Sequence, residues 1–448
     1  MKQELLDYDI FPKVFPCGQN IRICIKPLGD HVLFRDEYYT VSIQGLNDGA
    51  IYDYPERENQ IDYDIMPDED GNIYFTHAFE DEQEYYINIF LKGRKIVRLS
   101  VYAVLCDLVG KYPFKGNLHT HSFRSGGKMS PAVEAALFRQ RGFDFIAITD
   151  SHRYFPSLEA IHAYKNATLE MSIISGEEIH MPKFPDAIND ITIVNFGGTY
   201  SINALIDNSI HNKEVGDSKS YRSLDGSCPD TISSGQYYKE VCELEQDLFT
   251  PKGIEKFTYA SCVWIFNHIK ASDGLGIFCH PFWISDVCNV PHTLAGYITK
   301  NKPFDAFEVF GNENYFEQYG YQAAHYYDDR AAGIKYPVVG SSEYDCTKPS
   351  YTIVFSQDNE REDIIKSVKA SYCTAVQGEN ESLNIAGDTR LVRYACFLIN
   401  NFFPLHDELC FEEGRLMKAY INKDESALDL LKAIHGRMKK QREKYFKF

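Results

Sequence analysis

No run of apolar residues in this chain is long enough to cross a bilayer as a helix, which argues against a helical membrane protein. The opening residues, Met1-Lys2-Gln3-Glu4-Leu5-Leu6-Asp7, lack the apolar core of a secretory leader. Cysteine occurs twelve times, yet no two cysteines stand in a C-x-x-C pair. Scattered thiols such as Cys279, within Gly276-Ile277-Phe278-Cys279-His280, read as buried and reduced and not as a disulfide frame. These absences set the expectation of a cytoplasmic protein. Positive charge is also in deficit: 46 Lys+Arg against 64 Asp+Glu leave a net charge of −18. Such a surface repels nucleic-acid backbone and anionic membrane, so neither is expected as a partner. A small anion in a locally basic pocket stays open, and so does homo-oligomerisation.

What is present is 448 residues, 44% hydrophobic and 25% charged, enough for two or three domains with a substantial core. Residues 1–112 read as an all-β, sandwich-like domain. Segments 21–26 and 39–44 alternate apolar and polar with period two, and Asp70-Gly71 marks a turn before Ile73. Segments 85–91 and 96–105 continue the series, as in a small antiparallel sandwich. Tyrosines such as Tyr38, Tyr39, Tyr52 and Tyr54 are either stacking surfaces for sugar or plain strand formers.

The pattern changes after Pro113. Strand-like apolar runs now alternate with helical ones, the signature of βα units around a parallel sheet. Ser130-Pro131 supplies an N-cap and a first-turn proline for a helix over 132–141, which Gly142 ends. Runs 143–149, 173–174, 275–279, 305–310 and 336–340 read as strands. Residues 199–260 interrupt the rhythm as an insertion with some helix near 237–247, either a lid or a surface excursion. The expected division is therefore 1–112, 113–378, and a helical C-terminal extension over 379–448. Helices are expected over 389–401 and from 427 onward, with a basic final stretch read as a solvated helix face.

The chemistry concentrates at the ends of the apolar runs. His119 and His121 stand two apart in Gly116-Asn117-Leu118-His119-Thr120-His121. Side chains at that spacing on a strand share a face, and two imidazoles on one face can grip one divalent cation. Asp150, Glu178, His280 and Glu343 each lie just past a buried apolar run. A (β/α) barrel gathers its functional residues there, because its loops converge at that rim. Singly, His280 reads as a strand-end histidine bonded to a carbonyl, Glu178 as a capping carboxylate, and Asp150 as a helix cap. Taken in order, they point to a metal site. Glu177, beside Glu178, faces the other way.

In this order the residues resemble the PHP family (polymerase and histidinol phosphatase domain) of metal-dependent phosphoesterases, over roughly residues 114–375. The family's H-x-H motif and the S-D-G and S-P that follow resemble His119-Thr120-His121, Ser125-Gly126-Gly127 and Ser130-Pro131. Its I-T-D-H resembles Ile148-Thr149-Asp150-Ser151-His152, its G-x-E-I resembles Gly176-Glu177-Glu178-Ile179, and its H-P resembles His280-Pro281. Its G-S-D-x-H resembles Gly340-Ser341-Ser342-Glu343-Tyr344-Asp345. The resemblance implies an α/β fold, a distorted (β/α)7 barrel with up to three metals at its C-terminal rim.

The departures are uneven. His119, His121, Glu178 and Glu343 would form one metal site with all donors kept. Glu178 and His280 would serve a second, where Thr192 replaces a histidine. Gly126, Ser151 and Asp345 would form the third, and two of these cannot coordinate. One or two divalent ions, zinc, manganese or iron, are therefore expected. His180 is either an added ligand of the second site or a surface histidine, and Asp345 stands where the final histidine would be. The implied activity is hydrolysis of a small phosphate ester by a metal-activated water. Asp150 and His152 would act as general acid or behind the ligands. Arg124, Lys128 and Arg153 either hold the phosphate or are solvated loop charges. The leading expectation is an enzyme. Its rival is a catalytically impaired pseudoenzyme or ligand-binding protein with one metal or none. A barrel of the amidohydrolase type also carries H-x-H on its first strand, but the G-x-E and H-P signals argue against it.

Overall fold

The computed structural model describes residues 2–48, 60–180, 191–207, 209–216, 218–284, 287–311, 316–343, 350–378 and 382–448. Tyr52, Tyr54 and Asp345 lie outside the described residues. The chain forms two compact units. One contains Met1–Tyr112, Thr389–Leu409 and Gly436–Phe448; the other contains Pro113–Asp388 and Cys410–His435. Among the described residues, no helix is long and apolar enough to cross a membrane, and the described cysteines are free thiols.

The first unit is built on two sheets. Tyr8–Phe11, Gln19–Pro27 and Ile73–Phe79 form a three-stranded antiparallel sheet. The other runs in the order Val14–Pro16, Arg94–Val104, Glu84–Leu91, Tyr39–Gly45, Gln60–Ile65. Its pairings are antiparallel except that of Val14–Pro16 with Arg94–Val104. The period-two pattern turns Ile23, Ile25 and Phe75 of one sheet and Val41, Ile43, Ile87 and Val101 of the other into one shared core. Helix Thr389–Asn401 packs on this unit by setting Tyr394 and Phe397 against Tyr102, at ring distances of 4.9 and 5.3 Å.

The second unit is mixed α/β. Its six-stranded sheet has the order Ser172–Ile174, Phe145–Ala147, Tyr112–Asn117, Ser350–Ser356, Cys373–Gln377, Asn384–Gly387. Its five-stranded sheet has the order Gly176–His180, Thr192–Phe196, Leu275–Cys279, Ala306–Phe310, Val338–Gly340. Pairing is parallel from Tyr112–Asn117 through Phe145–Ala147 to Ser172–Ile174, and again from Leu275–Cys279 to Val338–Gly340. It departs from a uniformly parallel sheet at Thr192–Phe196, antiparallel to both neighbours, and at Cys373–Gln377, antiparallel to Ser350–Ser356 and Asn384–Gly387.

Local chemistry accounts for the helices. Ser130 Oγ accepts from Val133 N at 3.4 Å and caps Pro131–Gln140, while Gly142 takes a left-handed φ of +87° beyond its end. Glu255 caps Lys256–Ala271, whose Ile265, Phe266 and Ile269 enter the core with Ile193, Phe278, Phe307 and Val338. The insertion folds into helices Ile210–Val215 and Ser234–Asp247, and Tyr237 packs on Trp264 at 4.9 Å. Helix Phe403–Ile421 falls between the two helices named within the expected helical extension, and its Pro404 occupies the first turn, where its missing N–H is harmless. The helix expected from residue 427 onward is two, Ala427–Ile434 and Arg437–Phe446, parted at Gly436 with φ +87°.

One buried ion cluster fastens the base of the first βα unit. Arg139 is fully buried; its Nε donates to Glu413 Oε2 at 2.5 Å, and its Nη1 donates to Asp144 Oδ1 at 3.1 Å and Phe143 O at 2.9 Å. Asp144 Oδ2 also accepts from Lys115 N at 3.0 Å, which ties it to the neighbouring strand. Removing one partner of a buried pair strands the other charge away from water. Glu413→Ala is therefore expected to lower unfolding stability by about 3–5 kcal/mol. Urea titration followed by tryptophan fluorescence checks this, since the chain's two tryptophans, Trp264 and Trp283, both report on this unit.

Candidate metal centre

The strand Tyr112–Asn117 ends two residues before His119, sooner than its sequence suggests. The next residues nevertheless stay clamped between neighbours. Thr120 N donates to Thr149 Oγ1 at 2.9 Å, and Thr149 N donates to Thr120 O at 2.8 Å. On the other side His121 N donates to Glu343 O at 2.8 Å. Three strand ends are thereby sewn side by side. Both imidazoles of the H-x-H pair point the same way, with their Nε2 atoms 3.3 Å apart.

Around them the chain gathers groups from distant positions. His119, Glu178, His280 and Glu343 each present a donor atom, all are buried, and these atoms lie within 4.8 Å of one another. His121 joins them, with Nε2 3.1 Å from Glu178 Oε2 and 3.4 Å from Glu343 Oε1. The His119 and His280 rings stack at 5.7 Å. His280 holds a backbone φ of +25°, outside the regions a side chain ordinarily tolerates. Its Nε2 is buried and, among the described residues, has no hydrogen-bond partner. An orphaned buried nitrogen is costly unless something with a matching demand meets it. Imidazole nitrogens with carboxylate oxygens are a donor set for zinc, manganese or iron, so the residues present fit a divalent cation.

The groups behind these donors are equally specific. Ser125 O and Oγ lie 3.1 and 2.7 Å from His121 Nδ1, and Ser125 Oγ donates to Asp150 Oδ1 at 2.5 Å. Asp150 also accepts from Ser122 N at 2.9 Å and Ser122 Oγ at 2.6 Å. A carboxylate so enclosed braces His121 through Ser125 and is poorly placed to deliver a proton outward. Ser151 Oγ donates to Glu178. His119 Nδ1 faces Glu308 Oε1 at 3.2 Å. The sequence reading names Ser125 and Ser151 within motifs and Glu308 only within its strand, and gives none of them this supporting role. For Glu308 a signal existed: it is the one charge inside the apolar run Ala306–Phe310.

His180 is no detached surface side chain, since its Nε2 meets Glu178 Oε1 at 3.0 Å and its ring lies 4.9 Å from that of His152. Burial and the neighbouring His180 push the His152 pKa down to about 4, which leaves it neutral at pH 7. Arg124 and Arg153 are both engaged. Arg124 Nε binds Glu159 at 2.9 Å between the rings of Phe123 and Phe155, and Arg153 grips Glu214 in bidentate fashion at 2.9 and 2.8 Å. Lys128 is exposed. Gly126 offers no donor, and Thr192 is paired in register with His180 and Cys279.

Glu177 points to the opposite face of the strand, as expected. It accepts from Asn195 Nδ2 at 3.1 Å, Ser201 Oγ at 2.7 Å, Ile202 N at 2.5 Å and Asn203 Nδ2 at 2.8 Å. Burial still raises its pKa against those donors. Asn203 Nδ2 reaches Glu178 O as well, at 3.0 Å.

The charges of the centre compensate one another. Burial alone would depress the His119 pKa, but Glu308, Glu343 and Glu178 overcome it and raise it to about 8. Burial would raise Glu343, but His121, His119 and His280 bring it down to about 2. A histidine raised from its ordinary 6.5 lends stability that is complete below pH 6.5 and lost as pH climbs through 8. A carboxyl lowered from 4.5 lends stability that is complete above pH 4.5 and lost as pH falls toward 2. The metal-stripped protein is thus expected to be most stable between these limits. Its melting temperature should drop from pH 6.5 to 8.5 by an amount worth on the order of 1–2 kcal/mol. Stabilisation by saturating zinc should grow over the same interval, because the ion displaces protons. Calorimetric scans with chelator and with zinc check both slopes.

Neither family models nor curated proteins match the chain. Among solved structures it is similar to a two-domain protein from Bacteroides vulgatus containing a predicted PHP-like metal-dependent phosphoesterase. The identity is 13% and the TM-score 0.37, over 59% of this chain and 65% of that one, just under two thirds of its length. It is also similar to a putative metal-dependent phosphoesterase from Bifidobacterium adolescentis (14% identity, TM-score 0.31, 63% of this chain and 96% of that one). An amidohydrolase from Chromobacterium violaceum gives 16% identity and a TM-score of 0.30, over 51% of this chain and 87% of that one. Likeness at this level leaves the chemistry to be argued from the chain's own residues.

Proposed function

We propose that this chain is a metal-dependent phosphoesterase of the PHP type that hydrolyses a small phosphorylated molecule. The observation that carries the reading is the convergence of five buried donors, His119, His121, Glu178, His280 and Glu343, from four separate stretches of sequence. In this reading His119, His121, Glu178 and Glu343 hold the better ion. Glu178 and His280 hold a weaker one, because Thr192 supplies no imidazole. A divalent ion so held would supply Lewis-acid polarisation of a phosphoryl oxygen and a water acidified toward neutral pH. The protein's own groups do the rest. Ser125 and Asp150 keep His121 Nδ1 occupied, so that Nε2 faces inward. His152, with its pKa lowered to about 4, is neutral at pH 7, so it brings no imidazolium proton and is a weak base; it is placed behind the ligands, beside His180. Lys128 is free to meet an anionic substrate, whereas Arg124 and Arg153 must first exchange Glu159 and Glu214 for phosphate. The second unit is taken as a distorted (β/α)7 barrel, and the partner as a small molecule, not nucleic acid.

A second reading, a ligand-binding pseudoenzyme, is favoured by Gly126, by Ser151 and by the two engaged arginines. Metal analysis of protein purified without chelator, combined with turnover of p-nitrophenyl phosphate and its bis ester under added manganese, separates the two. The expected result is bound metal and phosphate-ester turnover that falls on the order of 100-fold or more in His280→Ala and Glu343→Gln. Bound metal without turnover selects the pseudoenzyme. No metal and no turnover overturns the proposal, and turnover confined to amides or lactones transfers it to the amidohydrolase type.

A further inference from the structure

We propose that Glu308, which belongs to none of the motifs above, is a positioning residue of the metal centre, holding the His119 proton on Nδ1 so that the Nε2 lone pair faces Glu178, His280 and Glu343. The proposal rests on the metal-centre reading and adds a member to it.

Glu308 occupies the middle of Ala306–Phe310, a strand whose five residues are all buried, and is itself 1% exposed. A carboxylate in such a place is strongly destabilising unless a partner compensates it. Among the described residues its Oε1 meets His119 Nδ1 at 3.2 Å and its Oε2 has no partner. The backbone is adapted to this aim. Glu308 pairs with Val339, and the register then slips before Phe310 pairs with Gly340. An irregularity of this kind redirects a side chain relative to the regular pleat.

The chemistry of the pair fixes a direction. An ionised carboxylate only accepts, so in a neutral His119 ring the proton must sit on Nδ1. Nε2 is then the unprotonated atom, and it is the one that lies 3.3 Å from His121 Nε2 and 3.9 Å from Glu343 Oε1. His121 obtains the same arrangement by another route, through Ser125 and Asp150. Glu308 therefore does for the first histidine of the pair what Ser125 and Asp150 do for the second. A competing role must be separated from this one. His119, Cys279 and Glu308 also present donor atoms within 4.8 Å of one another, which would make Glu308 a ligand.

The test uses the full chain with Glu308→Leu and Glu308→Gln. Two quantities are measured: cobalt(II) affinity and ion count, from the visible absorption of the bound ion, and the His119 tautomer. The tautomer comes from long-range proton–nitrogen correlation spectra of chelated, histidine-labelled protein at a pH where the ring is neutral. In the native chain the proton is expected on Nδ1. In Glu308→Leu it should move to Nε2, with cobalt affinity weakened about 10–100-fold and the number of ions per chain unchanged. Glu308→Gln keeps an acceptor without the charge, so it should hold the Nδ1 tautomer and weaken binding less. Affinities within about twofold of native in both variants overturn the proposal. So does the loss of one whole ion per chain, which marks Glu308 as a ligand. If the native chain binds no cobalt, the metal-centre reading fails, yet an unmoved tautomer in Glu308→Leu still separately refutes the positioning role. Circular dichroism monitors folding, and if the leucine variant is unfolded the isosteric glutamine variant decides by its affinity and ion count.

Discussion

Everything at the heart of the second unit depends on mutual compensation between buried groups of opposite charge. Three imidazoles, His119, His121 and His280, are enclosed with the carboxylates of Glu178, Glu308 and Glu343, all nearly sealed from solvent. None of these carboxylates is tolerable alone in such surroundings. Their pKa directions express the compromise, with His119 pushed up and Glu343 pushed down by the same contacts. The left-handed backbone at His280 and a buried Nε2 without a hydrogen-bond partner among the described residues belong to the same compromise. A centre of this kind is held open by the surrounding scaffold and not by its own stability.

The scaffold does this with ordinary means. Short hydrogen-bonded bridges beyond the strand ends, from Thr120 to Thr149 and from His121 to Glu343, keep three loops in line where the ladder has stopped. At the far end of the same strands, Arg139, Asp144 and Glu413 lock helix to sheet. His119 and His121 therefore follow a strand pinned at both ends, which is what a precise site needs.

Much of this was legible in the sequence, and the reasons are specific. The strand ends announce themselves because a polar residue after a buried apolar run is conspicuous, as with His280 after Leu275–Cys279. Helix Pro131–Gln140 announces itself through Ser130, Pro131 and Gly142. What could not be read is what depends on partners remote in sequence. Ser125 looks like any loop serine until Asp150 and His121 are seen on either side of it. His180 reads from sequence first as a surface histidine, yet Glu178 Oε1 lies 3.0 Å from its Nε2. The reversed strand Thr192–Phe196 carries the same apolar pattern as a parallel one, because side-chain alternation does not encode direction.

Glu177 and Glu178 share one peptide bond and face opposite worlds. One gathers the donors of residues 201–203, at the start of the inserted segment, while the other belongs to the cluster of imidazoles and carboxylates. Asn203 spans both, bonding the carboxylate of the first and the carbonyl of the second. The insertion thus cannot be lifted at its root without stripping Glu177 of its donors, one residue away from Glu178. The foot of the inserted segment and the metal-ligating face of the strand are thus two sides of one short stretch of backbone, and a change that moves one moves the other.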